Sequence, residues 1–322
     1  MHEFEIKFQV PRARRAAVEA ALRRHPAPAR LRLQARYFDT ADTRLAAARM
    51  ALRVRREGDL PVQTLKAAGA GALGRFEHNV PLAEVDGLAA DPRRHAGTSG
   101  GEQLLALLAA SPAPLAERYR TDIRRLARRA WHRGALLELA FDEGVIAAGE
   151  RHTAVCELEI ELLEGVPADL LDHAARWVRR HGLWLDTRSK AERGERLARA
   201  GAGPEPVAPP RPLPRAPGRG AGAAARRDAA VRTLAAVLAA QSELAAGSGG
   251  TAHLAALRAG LRRLARLLRL IAARDGRADA ASLAPRCAAL GEGLPAAAGA
   301  ALTARLRGAP VQRLWLELLA LD

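Results

Sequence analysis

The stretch His2-Glu3-Phe4-Glu5-Ile6-Lys7-Phe8 alternates strictly, and this constrains the chain more than any other feature. Successive side chains of a strand point to opposite faces. Glu3, Glu5 and Lys7 therefore share one face, and Phe4, Ile6 and Phe8 share the other. On a lone strand the charged face meets water. Here the same device recurs far along the chain. Met50 to Arg56 presents Arg53 and Arg55, and Val62 to Lys66 returns with Thr64 and Lys66. Residues 75–80 present Arg75 and Glu77, and Thr153 to Leu163 sets Glu157, Glu159 and Glu161 opposite Leu158, Ile160 and Leu162. If these charged rows turn to one side, they line an interior while the apolar rows pack against helices outside. Such an interior suits a metal ion together with a highly charged anion.

The punctuation between these rows sets the remaining elements. A helix is expected from Arg12 to Arg24, and a strand from Leu31 to Asp39 that ends in Tyr37-Phe38-Asp39-Thr40. Glu57-Gly58-Asp59 reads as a tight turn and residues 69–74 as a flexible loop. Glu102 to Ala110 reads as a helix. An antiparallel pair, Arg118 to Arg128 and Ala135 to Asp142, turns near His132-Arg133-Gly134, and Glu143-Gly144 reads as a second hairpin. Pro167 opens a helix that Gly182 stops after His181. A short segment from Leu183 to Asp186 leads to a last helix around 191–200.

Residues 201–224 are rich in Pro, Gly, Ala and Arg, which predicts a mobile linker with polyproline character. Beyond Arg226 the period is helical. Leu257, Leu261, Leu264 and Leu268 form an apolar stripe beside Arg258, Arg262, Arg266 and Arg269. The arginine stripe reads first as a solvated helix face. Three regions follow: 1–200, a linker over 201–224, and a smaller all-α region over 225–322.

Charge narrows the partners. The 322 residues carry a formal net charge of +16, which favours polyanions without implying sequence-specific binding of nucleic acid. Cys156 and Cys287 stand far apart with no metal-ligand spacing, which fits a reducing cytoplasm. No signal peptide and no membrane-spanning run is expected.

Carboxylates gather on the first and the late strand, and bases on the middle ones. Carboxylates are hard oxygen ligands suited to Mg2+ or Mn2+. Arginine and lysine neutralise and orient phosphoryl groups, arginine with bidentate geometry. Asp142 and one arginine of the 118–142 pair extend the set, as does Lys190. Alternation puts Arg125 on the charged side and Arg120 and Arg124 on the other, although register stays open. Tyr37 and Asp39 read as structural residues at a strand end.

These residues also resemble a known family. Glu-Phe-Glu-Ile-Lys at 3–7 is similar to the ExExK signature of the CYTH superfamily, the triphosphate tunnel metalloenzymes. Tyr-Phe-Asp-Thr at 37–40, Leu-Arg-Val-Arg at 52–55, Gln-Thr-Leu-Lys at 63–66, Cys-Glu-Leu-Glu-Ile-Glu at 156–161 and Arg-Ser-Lys-Ala at 188–191 follow in the family's order. The resemblance covers residues 1–200. It implies an α+β fold with a closed antiparallel β-barrel of about eight strands, a tunnel with helices outside.

It further implies metal ligation by Glu3, Glu5, Glu157 and Glu159, and phosphate binding by Lys7, Arg53, Arg55, Lys66, Arg75, Arg125 and Lys190. Glu5, Lys66, Asp142 and Glu159 would be the catalytic set, and Mg2+ or Mn2+ the cofactor. Leu-Arg-Ala-Gly-Leu-Arg-Arg-Leu at 257–264 resembles the arginine-rich helix of CHAD modules, which are associated with polyphosphate. That part departs from the pattern: Ala255 stands where a histidine is expected, with His253 displaced.

The expected activity is metal-dependent hydrolysis of inorganic triphosphate. Thiamine triphosphatase, nucleoside triphosphatase, adenylate cyclase and a non-enzymatic polyphosphate-binding protein are the alternatives. If the helical tail is accessory, its removal should spare turnover.

Overall fold

A computed structural model of the chain describes all residues except 1, 25–27, 58–59, 69–73, 84–88, 111, 201–202, 219 and 322. The side chains of residues 2–3, 57, 60, 68 and 74–75 also lie outside the description. The expected turn at 57–59 and loop at 69–74 therefore fall largely outside it, as do the side chains of Glu3 and Arg75.

The described residues form nine strands. β1 (His2–Gln9) is followed by α1 (Arg15–Leu22), β2 (Ala29–Thr40) and α2 (Arg44–Ala47). Then come β3 (Ala51–Glu57), β4 (Leu60–Ala68), β5 (Gly74–Pro81) and α3 (Ser99–Ala109). β6 (Leu115–His132), β7 (Ala135–Ala148) and β8 (Arg151–Glu164) are long and consecutive. α4 (Pro167–His181), β9 (Trp184–Leu185) and α5 (Lys190–Ala200) complete this part. The tail holds α6 (Ala223–Ala246), α7 (Thr251–Asp275), α8 (Ala278–Glu292), α9 (Ala300–Arg307) and α10 (Ala309–Leu319).

All strands join one antiparallel sheet in the order β5-β4-β3-β2-β6-β7-β8-β1-β9. Residues 2–4 of β1 also pair with 74–76 of β5, so one end of the run curls back onto β1. This is an α+β fold with a large curled sheet, but not the sealed barrel expected from the sequence. The reason lies on the second edge of β1. Phe8 and Gln9 are taken there by Leu185 and Trp184 of β9, which leaves β5 only the start of the strand.

The segment 183–186 thus contributes a strand that its length conceals. Gly144 is another correction. It is no hairpin but lies inside β7, opposite Ile123 and Val155, and the chain turns only at Gly149 (φ 59°). The glycine is required by close approach, since a Cβ there would stand 2.0 Å from the Asp122 carbonyl oxygen. The turn at Arg133 and Gly134, both at positive φ, and the stop of α4 at Gly182 (φ 63°) stand where the sequence puts them.

The outer face of the sheet carries the core. Ile6, Phe8, Phe141, Leu158 and Ile160 are at most 1% exposed and pack with Leu170 and Ala174 of α4. Burial on this face contributes about 2 kcal/mol for each large apolar side chain. The same cluster continues into the tail through Leu257, Leu261, Leu264, Leu268 and Trp315. Arg262, Arg266 and Arg269 are exposed, whereas Arg258 donates to the Leu294 and Pro295 carbonyls at 3.0 and 2.8 Å. The proline-rich connection contains no helix among its described residues before α6. It is tethered, with the His253 Nε2–H donating to the Ala208 carbonyl at 2.9 Å. No helix among the described residues is long and apolar enough to cross a membrane.

Candidate active site

Register decides which charged side chains meet. On the inner face, Gln9, Glu157, Asp142 and Arg125 stand in one row across β1, β8, β7 and β6. Lys7, Glu159 and Ala140 form the next row, and Glu5, Glu161, Glu138 and Arg129 the third. On the other wall Arg53 stands opposite Tyr37 and Thr64, and Lys66 opposite Glu77. Between the walls lies a cavity of about 840 Å³, lined among others by Glu5, Lys7, Arg53, Arg55, Lys66 and Arg125.

Three carboxylates converge. Oxygens of Asp142, Glu157 and Glu159 all lie within 4.8 Å of one another. Asp142 and Glu157 are fully buried. Such a group is stable only when compensated. The ammonium of Lys190 sits among the three, 2.7 Å from Asp142 Oδ2 and 2.9 Å from Glu159 Oε1, and it also contacts Glu157. Arg125 chelates Asp142 through Nε and Nη2, both at 2.7 Å, and reaches Glu159 as well. Arg193 Nη1 lies 3.3 Å from Glu157 Oε2, and Lys7 Nζ 4.0 Å from the same oxygen.

The balance shows in the ionisation. Burial raises the Glu159 carboxyl, but Lys190, Arg125 and Lys7 outweigh it and hold it well below the usual range. Burial lowers the Lys190 ammonium, but Asp142, Glu157 and Glu159 hold it well above the ordinary lysine value.

The opposite wall has the reverse imbalance. Burial, then the charges of Arg53 and Arg125, push Arg55 down to about 9. Arg53 Nε is buried without a hydrogen-bond acceptor, although Nη1 reaches the Tyr37 hydroxyl at 3.5 Å. Burial alone would raise Glu77, but Lys66 and Arg53 bring it down to about 2. Crowded guanidinium groups favour binding of an anion.

The structure thus brings Asp142, Glu157, Glu159, Arg125, Lys190 and Lys7 together. Arg53, Arg55, Lys66 and Glu5 line the same cavity at other points. Glu5 stands opposite Glu161 and outside the convergent trio, which takes Asp142 instead. Arg120 and Arg124 are exposed on the outer side. Asp39 is structural as expected, its carboxylate accepting from the Leu45 and Ala46 amides at 2.9 Å. Tyr37 and Asp39 both line the cavity, and Tyr37 stacks on Tyr119 with ring centroids 4.7 Å apart. Arg193 escaped the sequence reading. Its spacing of three from Lys190 puts both on one face of α5, and that was the available signal.

Oxygen-only donors this close fit a hard divalent cation in their chemistry. Asp142, Glu157 and Glu159 are the described residues that could hold one.

An inorganic triphosphatase from Haemophilus influenzae is 32% identical over 164 residues, which is 49% of this chain and 44% of that protein. The match therefore spans less than half the length of that relative. A crystal structure of a candidate adenylate cyclase from Bacillus halodurans superposes with a TM-score of 0.43 at 16% identity, covering 59% of this chain and 96% of that one. A Hippeastrum protein, described as a candidate adenylyl cyclase with dominant triphosphatase activity, gives 0.42 at 18% identity over 60% and 94%. The profile of the CYTH domain matches residues 1–194, and the chain belongs to the CYTH domain family.

Proposed function

We propose that this chain is a metal-dependent hydrolase of phosphoanhydride bonds whose substrate is inorganic triphosphate. The observation that carries this reading is one cavity lined on one side by a carboxylate cluster and on the other by Arg53 and Arg55, whose guanidinium groups crowd each other. A linear polyanion suits the guanidinium wall, and a divalent cation suits the carboxylates, which Lys190 and Arg125 compensate in the protein alone. The relative named an inorganic triphosphatase supports the choice of substrate. The curled sheet is read as the tunnel, residues 1–200 as the catalytic unit and the cytoplasm as its setting.

Arg53, Arg55 and Lys66 hold the phosphoryl oxygens from one wall, and Lys7, Arg125 and Lys190 from the other. Arg75 joins this set by sequence. Asp142, Glu157 and Glu159 would hold Mg2+ or Mn2+, which would supply Lewis acidity and charge neutralisation, and Glu3 and Glu5 join this set by sequence. Water adds to the terminal phosphorus, and the bond to the bridging oxygen breaks. Pyrophosphate leaves with its new charge on the basic wall, and orthophosphate carries the added oxygen. Positioning and charge stabilisation suffice for this chemistry.

A nucleoside or thiamine triphosphate is the second reading, favoured by the Tyr37–Tyr119 stack in the cavity wall. The exposed arginines of α7 leave polyphosphate binding by the tail as a further part of the proposal.

The test is orthophosphate release from tripolyphosphate, ATP, thiamine triphosphate and long-chain polyphosphate with Mg2+ or Mn2+. Tripolyphosphate should be turned over fastest. Glu159→Gln should lower kcat by about a hundredfold or more, the size of losing one charge-stabilising group, with the fold kept by circular dichroism. Undiminished turnover in that variant would refute the cluster as the reaction centre.

A further inference from the structure

From Thr233 to Ala245 α6 is buried nearly all round, and Gln241, Ser242 and Glu243 there are at most 5% exposed. A carboxylate in such a place needs partners. Those of Glu243 come mainly from the catalytic part of the chain. Arg196 donates to Oε1, Arg188 Nη1 stands 3.6 Å from Oε2, and Ser248 Oγ donates to Oε2 at 2.7 Å.

The neighbouring residue does the same for the backbone. Ser242 Oγ accepts from the Thr187 amide at 2.9 Å, and Gln312 Oε1 of α10 accepts from the Leu185 amide at 2.6 Å. Ser242, Glu243 and Gln312 all lie beyond the residues of the family match, which ends at 194.

What they hold leads directly into the site. Arg188 is bidentate to Asp186, with Nε–Oδ1 at 2.9 Å and Nη2–Oδ2 at 2.8 Å. Its carbonyl receives the ammonium of Lys7. Two residues on, Lys190 enters the carboxylate trio. Arg196, the other partner of Glu243, lines the cavity.

We propose that Glu243 is a positioning residue of the triphosphate site. The helical region clamps Arg188 and Arg196 through it, and so fixes where Lys190 and Lys7 meet the substrate. The tail is then part of the site rather than an accessory to it, contrary to the expectation that removing it spares turnover. This rests on the triphosphatase reading of the same cavity.

The experiment uses the full-length chain. Glu243→Gln keeps the shape and removes the charge, while Glu243→Asp keeps the charge. With tripolyphosphate and Mn2+, Glu243→Gln should lower kcat/KM by about tenfold to a hundredfold while Tm moves by no more than about 3 °C. Glu243→Asp should stay within about threefold of the native protein, a smaller misplacement. Unchanged kcat and KM in Glu243→Gln, or a lower Tm with native kinetics in the folded fraction, would overturn the proposal. Amide hydrogen exchange over residues 185–190 gives a readout that needs no substrate. Faster exchange in Glu243→Gln supports the clamp even if no triphosphate is hydrolysed, in which case only the functional reading fails. Native exchange rates there would overturn the clamp itself.

Discussion

The ring of His95 is fully buried beneath β4 and β5. Gln63 is locked by the Asp91 backbone, donating from Nε2 to its carbonyl at 2.7 Å and accepting its amide on Oε1 at 2.8 Å. The other Nε2 hydrogen of Gln63 then faces His95 Nε2 at 3.0 Å, so that nitrogen must accept. His95 Nδ1 accordingly donates to His78 Nδ1 at 2.9 Å. A proton on Nε2 would meet a donor. Burial, then the charge of His78, pushes His95 down to about 4. Burial, then His132, brings His173 to about 4 as well.

The sign follows. Between about pH 6.5 and 4 the unfolded chain binds protons that the native chain refuses, so stability falls as pH falls. Each histidine should contribute a slope of up to about 1.4 kcal/mol per pH unit in that window. Urea midpoints at pH 7.5, 6 and 5 measure it, and His95→Gln should reduce the slope. A midpoint independent of pH would contradict this account. None of this was legible in the chain, where these histidines have no ligand spacing. Arg125 was legible in part: alternation separates it from Arg120 and Arg124, and the register that pairs it with Asp142 decides which of the two faces is inner. Tyr37 was not, because its place at a strand end hides that it stacks on Tyr119 across the sheet.

Among the elements, the strands were the most readable. A period of two is local geometry, and it survives whatever the strand later pairs with. Length was harder to read. β7 runs to Ala148 because Gly144 continues it, and a glycine after an acidic residue reads equally well as a turn. The difference is testable. Gly144→Ala drives a methyl group toward the Asp122 carbonyl oxygen, two residues from Asp142. It should destabilise the fold by about 1–3 kcal/mol, as overpacking does, and lower turnover with it. A turn glycine exposed to solvent would tolerate the change in a urea titration. β9 is two residues long, too short for any period, yet it occupies the edge of β1 that a sealed barrel would need.

In the molecule as a whole, the largest apolar cluster joins the sheet to the tail. The apolar cluster that includes Ile6 and Phe8 on the sheet runs through Trp177 of α4 to Leu264 and Trp315 in the tail. Composition divides the chain near residues 201–224, whereas packing does not divide it there. Calorimetry should therefore give one cooperative transition for the full chain, and two well-separated transitions would count against a shared core. By itself, the order of residues determined which side chains are inward candidates, since strand parity and residue chemistry are local properties. It determined the carboxylates, the bases and the family they resemble. Only the tertiary structure decided that Asp142 joins Glu157 and Glu159 while Glu5 stands a row away. It alone decided that Lys190 sits between those oxygens and that Glu243 reaches in from the tail. Strand register and helix docking are set by packing between segments distant in the chain, which no local pattern encodes.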